Sequence, residues 1–168
     1  VLEWAGFNFA NKDWWTRTAG DQRRSEFVSG SGTVAIADPD EWDDAAHPQG
    51  LYNVFLTTPS IPLTDIPENS LVIAFDSSWR PEGFDDGLPN FPVDAEGNNI
   101  NNQTAFIRSI FNGSNTNVVL HWDSQGDGEF FHDHFPDEQV LLPLNNPAGA
   151  AALKLAFSLE LSANDWWW

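Results

Sequence analysis

Alternation of apolar and polar side chains is clearest near the C-terminus, where Leu153, Leu155, Phe157, Leu159 and Leu161 interleave with Lys154, Ala156, Ser158, Glu160 and Ser162. A period of two places those five apolar side chains on one face of an extended strand, whereas a helix would scatter them around its circumference. Runs of β-branched, aromatic and aliphatic residues of the same kind occupy 31–37, 51–57, 69–76, 104–111, 116–123 and 138–144, which predicts at least seven strands. Between them stand Asp38-Pro39-Asp40, Thr58-Pro59-Ser60, Asn112-Gly113 and Asn145-Asn146-Pro147, the chemistry of turns. No stretch of ten or more residues carries the amphipathic repeat of a helix. The expected fold is all-β, two packed antiparallel sheets forming a β-sandwich of jelly-roll type, with barrel closure as the competing arrangement.

One connection departs from this rhythm. Residues 80–103 are polar and rich in Pro, Gly and Asn, longer than ordinary loops in compact domains and of the kind that carries function. No domain boundary interrupts the chain, so 1–168 is expected to be a single module.

Composition narrows the partners. At 168 residues, with 41% hydrophobic and 14% aromatic side chains, the chain has enough apolar surface to build its own core. Seven Lys and Arg against 25 Asp and Glu give a net charge of -18, a field that repels phosphate backbones and anionic membranes. Nucleic acid is not an expected partner. Membrane insertion is not expected either, because no apolar run approaches the ~20 residues needed to span a bilayer. Cysteine is absent, so no disulfide framework exists. A start at Val1 without Met suggests a processed segment, secreted or cut from a longer parent protein.

The stretches SGTVAIADPDEWDD (31–44), SLVIAFDSSWRPE (70–82), VVLHWDS (118–124) and NNPAGAAALKLAFSLELSANDWWW (145–168) resemble a family of secreted bacterial β-sandwich modules appended to extracellular hydrolases, phosphatase-like proteins and adhesive multidomain proteins. The resemblance spans most of the chain and implies a jelly-roll accessory module of the cell surface or medium. In such relatives the final segment resembles N-D-W-W-W-A-[IL]-D-N and runs on into an apolar strand. On that pattern Trp166 and Trp168 point to one face and Trp167 to the other. The simpler alternative is that the three indoles plug the end of the sandwich. Either arrangement leaves a sheet edge at which self-association is expected.

Two acidic stretches are candidate calcium sites. Asp38, Asp40, Asp43 and Asp44 crowd one turn, and Asp123 and Asp127 alternate with glycine in DSQGDGE. Calcium takes six to eight oxygen ligands at about 2.3–2.6 Å, which closely spaced carboxylates and carbonyls supply. Solvated turn acids explain both stretches equally well, and the second lacks the residue order of an EF-hand.

Trp79, Arg80 and Glu82 at the mouth of the long loop, with Trp42 and Trp122 beside acidic turns, are the candidate ligand-binding residues. An indole offers apolar area to sugar C–H bonds while neighbouring polar groups bond the hydroxyls. Each Trp is equally a candidate for the core. Arg80 is expected to pair with Glu82, Asp76 or Asp85-Asp86, and Arg23-Arg24 with Asp21 or Glu26, because few cations serve many acids.

His132, His134 and Glu138 after Gly126 match part of the first cupin motif, with two imidazoles that would share one face of a strand. The motif's closing glycine falls on Asn145, and no histidine follows His134. No nucleophile elbow is present. The leading expectation is a non-catalytic module that binds carbohydrate or another extracellular polymer, with calcium rigidifying acidic loops. The rivals are a fibre or surface-layer subunit completed by strand exchange and a cupin-like metal enzyme.

Overall fold

The computed structural model describes residues 2–18, 20–43, 46, 51–81, 103–124, 128–162 and 167–168. The described residues form ten strands: β1 (Leu2–Gly6), β2 (Asn8–Asn11), β3 (Thr33–Ile36), β4 (Leu51–Thr57), β5 (Ile61–Pro62), β6 (Val72–Trp79), β7 (Thr104–Phe111), β8 (Asn115–Asp123), β9 (Phe135–Pro143) and β10 (Ala152–Ser162). Helices α1 (Lys12–Thr18) and α2 (Pro39–Asp43) are short, and a 3-10 turn covers Arg24–Glu26. Among the described residues no helix is long and apolar enough to cross a membrane.

The larger layer runs in the order β1-β4-β10-β7-β8, with β5 also on β10. All its pairings are antiparallel except β1 with β4. The strand predicted from the alternating Leu stripe is the centre of this layer, flanked by β4 and β7, and Leu153, Leu155 and Leu159 are buried there. Asn112 and Gly113 both take positive φ, 51° and 81°, and turn β7 directly into β8, as a hairpin between right-twisted strands requires. The Asn112 Oδ1 also accepts from the amides of Ala151 and Ala152 at 2.9 and 3.2 Å, tying the turn to β10.

The facing layer consists of two antiparallel pairs, β2-β3 and β6-β9. Trp167 and Trp168 join them. Ala37, just past β3, and Trp168 exchange N–H···O bonds of 2.7 and 2.8 Å, while the Arg80 amide, just past β6, donates to the Trp167 carbonyl at 3.1 Å. The two C-terminal indoles therefore sit in extended backbone between two strand ends. They leave on opposite faces, as alternation demands: Trp168 packs inward against Phe7, Trp79, Trp122 and Phe157, and Trp167 outward against Trp15 of α1. Trp166 lies outside the described residues.

Core clusters span the two layers. Tyr52, Val54, Ala105 and Leu159 of the larger sheet meet Ala37 and Trp79 of the smaller one, and Ile107 and Leu120 meet Val140 and Phe75. The all-β sandwich is thus realised with side chains from both inner faces.

Candidate functional site

Of the acidic stretch, the described part at 38–43 is a helix start. Asp38 caps α2 by accepting the Glu41 amide at 3.2 Å, and Pro39 occupies the first helical position, where its missing N–H and fixed φ suit a helix. The same Asp38 carboxylate accepts from Arg24 Nη2 at 2.8 Å and from Trp15 Nε1 at 3.4 Å. Burial pushes the Asp38 carboxyl up from its ordinary value, and the Arg24 charge pulls against that rise without cancelling it. The oxygens of Asp38, one of the expected calcium ligands, are engaged with a guanidinium, an indole and a helix end.

Two of the other acids have partners of their own. Asp40 accepts from Gln22 Nε2 at 3.1 Å, and Asp123 accepts from Thr104 Oγ1 at 3.2 Å. Among the described residues no group of three or more metal-ligating side chains converges. The Asp43 side chain, Asp44, Asp127 and Glu82 lie outside what the structure describes, as do Asp85 and Asp86.

Trp79 and Arg80 are interior residues, 0% and 1% exposed. The Trp79 indole donates to the His132 carbonyl at 3.0 Å and packs on Trp122 and Trp168. The Arg80 guanidinium donates to the Gln22 carbonyl and lies 4.9 Å from the centre of the Trp167 ring. Neither presents a face to solvent. Trp42, half-buried, packs on Tyr52 at 5.5 Å, and Trp122 is covered by the His132 ring, stacked at 4.0 Å and 9°. Indoles on strands facing a second sheet become core, and the sequence pattern at Trp79 and Trp122 is equally that of core strands.

His132 and His134 do not share a strand face, because β9 begins after them, at Phe135. His132 Nε2 lies 2.8 Å from Glu138 Oε1, with its ring between Trp122 and Phe135. His134 faces Arg23 and Arg80, and burial first, then these two cations, lower its pKa. The Arg23-Arg24 doublet splits: Arg23 pairs with Glu26 at 2.8 Å, as expected, while Arg24 reaches Asp38 and Glu41 instead.

What the sequence did not single out as a site is the pair Phe9 and Trp14. Phe9 is 60% and Trp14 56% exposed. Together with Asn8, Thr18, Asp38 and Glu41 they border a recess of about 320 Å³. The signal was the Trp14-Trp15 doublet: on a helix adjacent residues are rotated by roughly 100°, so when Trp15 turns inward under Asp38 its neighbour must turn out. Asn11 fixes that rotation by accepting the Trp14 amide at 3.2 Å.

A second opening, of about 370 Å³, lies between β3 and β6 next to Trp167 and Trp168. Phe7, Leu56, Phe75 and Phe157 line its inner side, and Trp15 and Phe27 also border it.

Comparison with protein-family models, curated proteins and solved structures returns no match.

Proposed function

We propose that this chain is a non-catalytic, jelly-roll-type binding module of a secreted or cell-surface protein, taking neutral saccharide or a similar extracellular polymer at the Phe9/Trp14 recess. The exposure of Trp14 beside Phe9 carries the reading. Two large rings left in water on one rim bear a cost that contact with an apolar sugar face removes. Glu41 and Asn8, on the same recess, can accept and donate to hydroxyls. The net charge of -18 favours a neutral ligand over an anionic one.

Calcium remains part of the proposal at Asp40, Asp43 and Asp44 rather than at Asp38. Its role would be to stiffen the chain after α2, which borders the recess through Glu41.

A glycan array with and without a chelator tests this reading, using the natural chain, Trp14→Ala and Phe9→Ala. Binding to neutral glycans that both substitutions abolish, with unfolding temperature unchanged, is the expected result. Blank arrays in both conditions, or binding indifferent to Trp14, would end it. Binding that survives chelation would remove the calcium part alone.

A further inference from the structure

We propose that the sugar unit seated in the Phe9/Trp14 recess is an N-acetylhexosamine, whose acetamido N–H and a neighbouring hydroxyl pair with the main chain of Phe9 on the open edge of β2. This inference rests on the saccharide reading above and narrows it to one class of sugar. Three observations converge on it.

The first is hydrogen bonding. Residues of an antiparallel strand turn their N–H and C=O groups alternately toward and away from the partner strand. The Lys12 amide donates to the Gly32 carbonyl at 2.8 Å, and Asn8 to Asn11 lie opposite Ile36 to Thr33 in the same register. Asn8 and Ala10 therefore bond toward β3, and Phe9 turns both of its groups away from it. Ala37 sets the same phase from the other strand, since it bonds toward Trp168 and away from β2. Among the described residues β2 has no second strand neighbour, and Phe9 borders the recess. One N–H and one C=O of a single residue thus stand on the open edge beside it, a pair that one acceptor and one donor of a ligand complete.

The second is extent. Upstream of Asn8 the chain crosses to β1, in the larger layer. Downstream, Asn11 binds the Trp14 amide at the start of α1. The edge therefore offers a single donor and acceptor pair. That is too short for an added peptide strand, which draws its affinity from a run of such pairs. It suits one small unit in a space of about 320 Å³.

The third is the wall beside that pair. Ala10, Ile36 and Trp15 pack together and also border the recess. An acetyl methyl group finds apolar contact on this surface. A plain hexose has a hydroxyl in its place, which the surface leaves without a partner. On the same recess Glu41, with Oε1 held by Arg24 at 3.0 Å, supplies an acceptor for a sugar hydroxyl and repels a uronic acid.

The test is an amide NMR titration of the 168-residue chain with the methyl glycosides of N-acetylglucosamine, N-acetylgalactosamine, glucose, galactose and glucosamine. It is repeated on Ala10→Val, whose added methyl groups fill the acetyl seat, and on Trp14→Ala. An N-acetyl sugar should shift the Phe9 amide and bind roughly 10-fold or more tightly than its parent hexose, and Ala10→Val should bring the two to equal affinity. A hexose that binds as tightly as its N-acetyl form, or glucosamine that binds more tightly, overturns the N-acetyl assignment; the saccharide reading survives that result if Trp14→Ala still abolishes binding. An unmoved Phe9 amide overturns the assignment too, as does an N-acetyl preference preserved in Ala10→Val. Where Ala10→Val fails to fold, the Phe9 shift and the affinity ratio in the natural chain decide alone. Silence from every sugar, or binding indifferent to Trp14, ends the saccharide reading itself.

Discussion

Arg24 Nη2 lies 2.8 Å from Asp38 Oδ2 with both side chains withdrawn from water, 0% and 3% exposed. The Arg24 guanidinium is also 5.0 and 5.1 Å from the ring centres of Trp15 and Trp167. This cation holds together the start of α2, α1 and the terminal indoles. Replacing it with an apolar side chain leaves a buried carboxylate uncompensated, at a cost of about 3–5 kcal/mol. Arg24→Met should lower the unfolding free energy read from a urea titration by that amount, and Asp38→Asn added to it should recover part of the loss. Strictly additive losses would mean the two side chains are not coupled.

Trp168 touches Phe7, Trp79, Trp122 and Phe157 and donates from Nε1 to Ser77 Oγ at 3.1 Å. Removing an indole from such a position costs about 3–5 kcal/mol. Trp168→Ala is therefore expected to destabilise strongly, while Trp14→Ala, on the exposed rim, stays within about 0.5 kcal/mol. Thermal unfolding of the two variants side by side checks the contrast.

The sandwich is legible in the sequence because its central strands carry their message in side-chain period: the apolar run 104–111 coincides with β7, and the stripe from Leu153 marks the middle of the larger sheet. The strands that escaped, β1, β2 and β5, are two to five residues long, and Asn8-Phe9-Ala10-Asn11 has too little apolar pattern to announce itself. The site was less legible. Trp79 and Trp122 read equally as sugar platform or core, and only the facing sheet decides for core. Asp38 looked like one acid among several in a turn, because nothing local reveals that Arg24, fourteen residues earlier, is brought beneath it.

Asn146 is buried and bridges two segments far apart in sequence. Its Oδ1 accepts the Ser70 and Leu71 amides, both at 2.9 Å, and its Nδ2 donates to the Pro67 carbonyl at 2.7 Å. Asn146→Ala strands those groups, at about 1–3 kcal/mol for each one left unpaired. Faster hydrogen exchange at Ser70 and Leu71 should accompany the loss, ahead of any change at Ile107 in the core. Unchanged exchange at both amides would show that another group had replaced the carboxamide.

His134 gives the fold a pH dependence whose sign follows from its surroundings. Burial and the neighbouring Arg23 and Arg80 hold its folded pKa below the ordinary 6.5, so between the two values the unfolded chain binds a proton that the native state refuses. Stability from this group is fully present above pH 6.5 and is lost as pH falls through that value toward the folded pKa. The natural chain should show a declining unfolding temperature on acidification below about pH 6.5, and His134→Gln, which cannot take up the proton, should flatten that limb of the curve. A slope of the same size in His134→Gln would assign the dependence to another group.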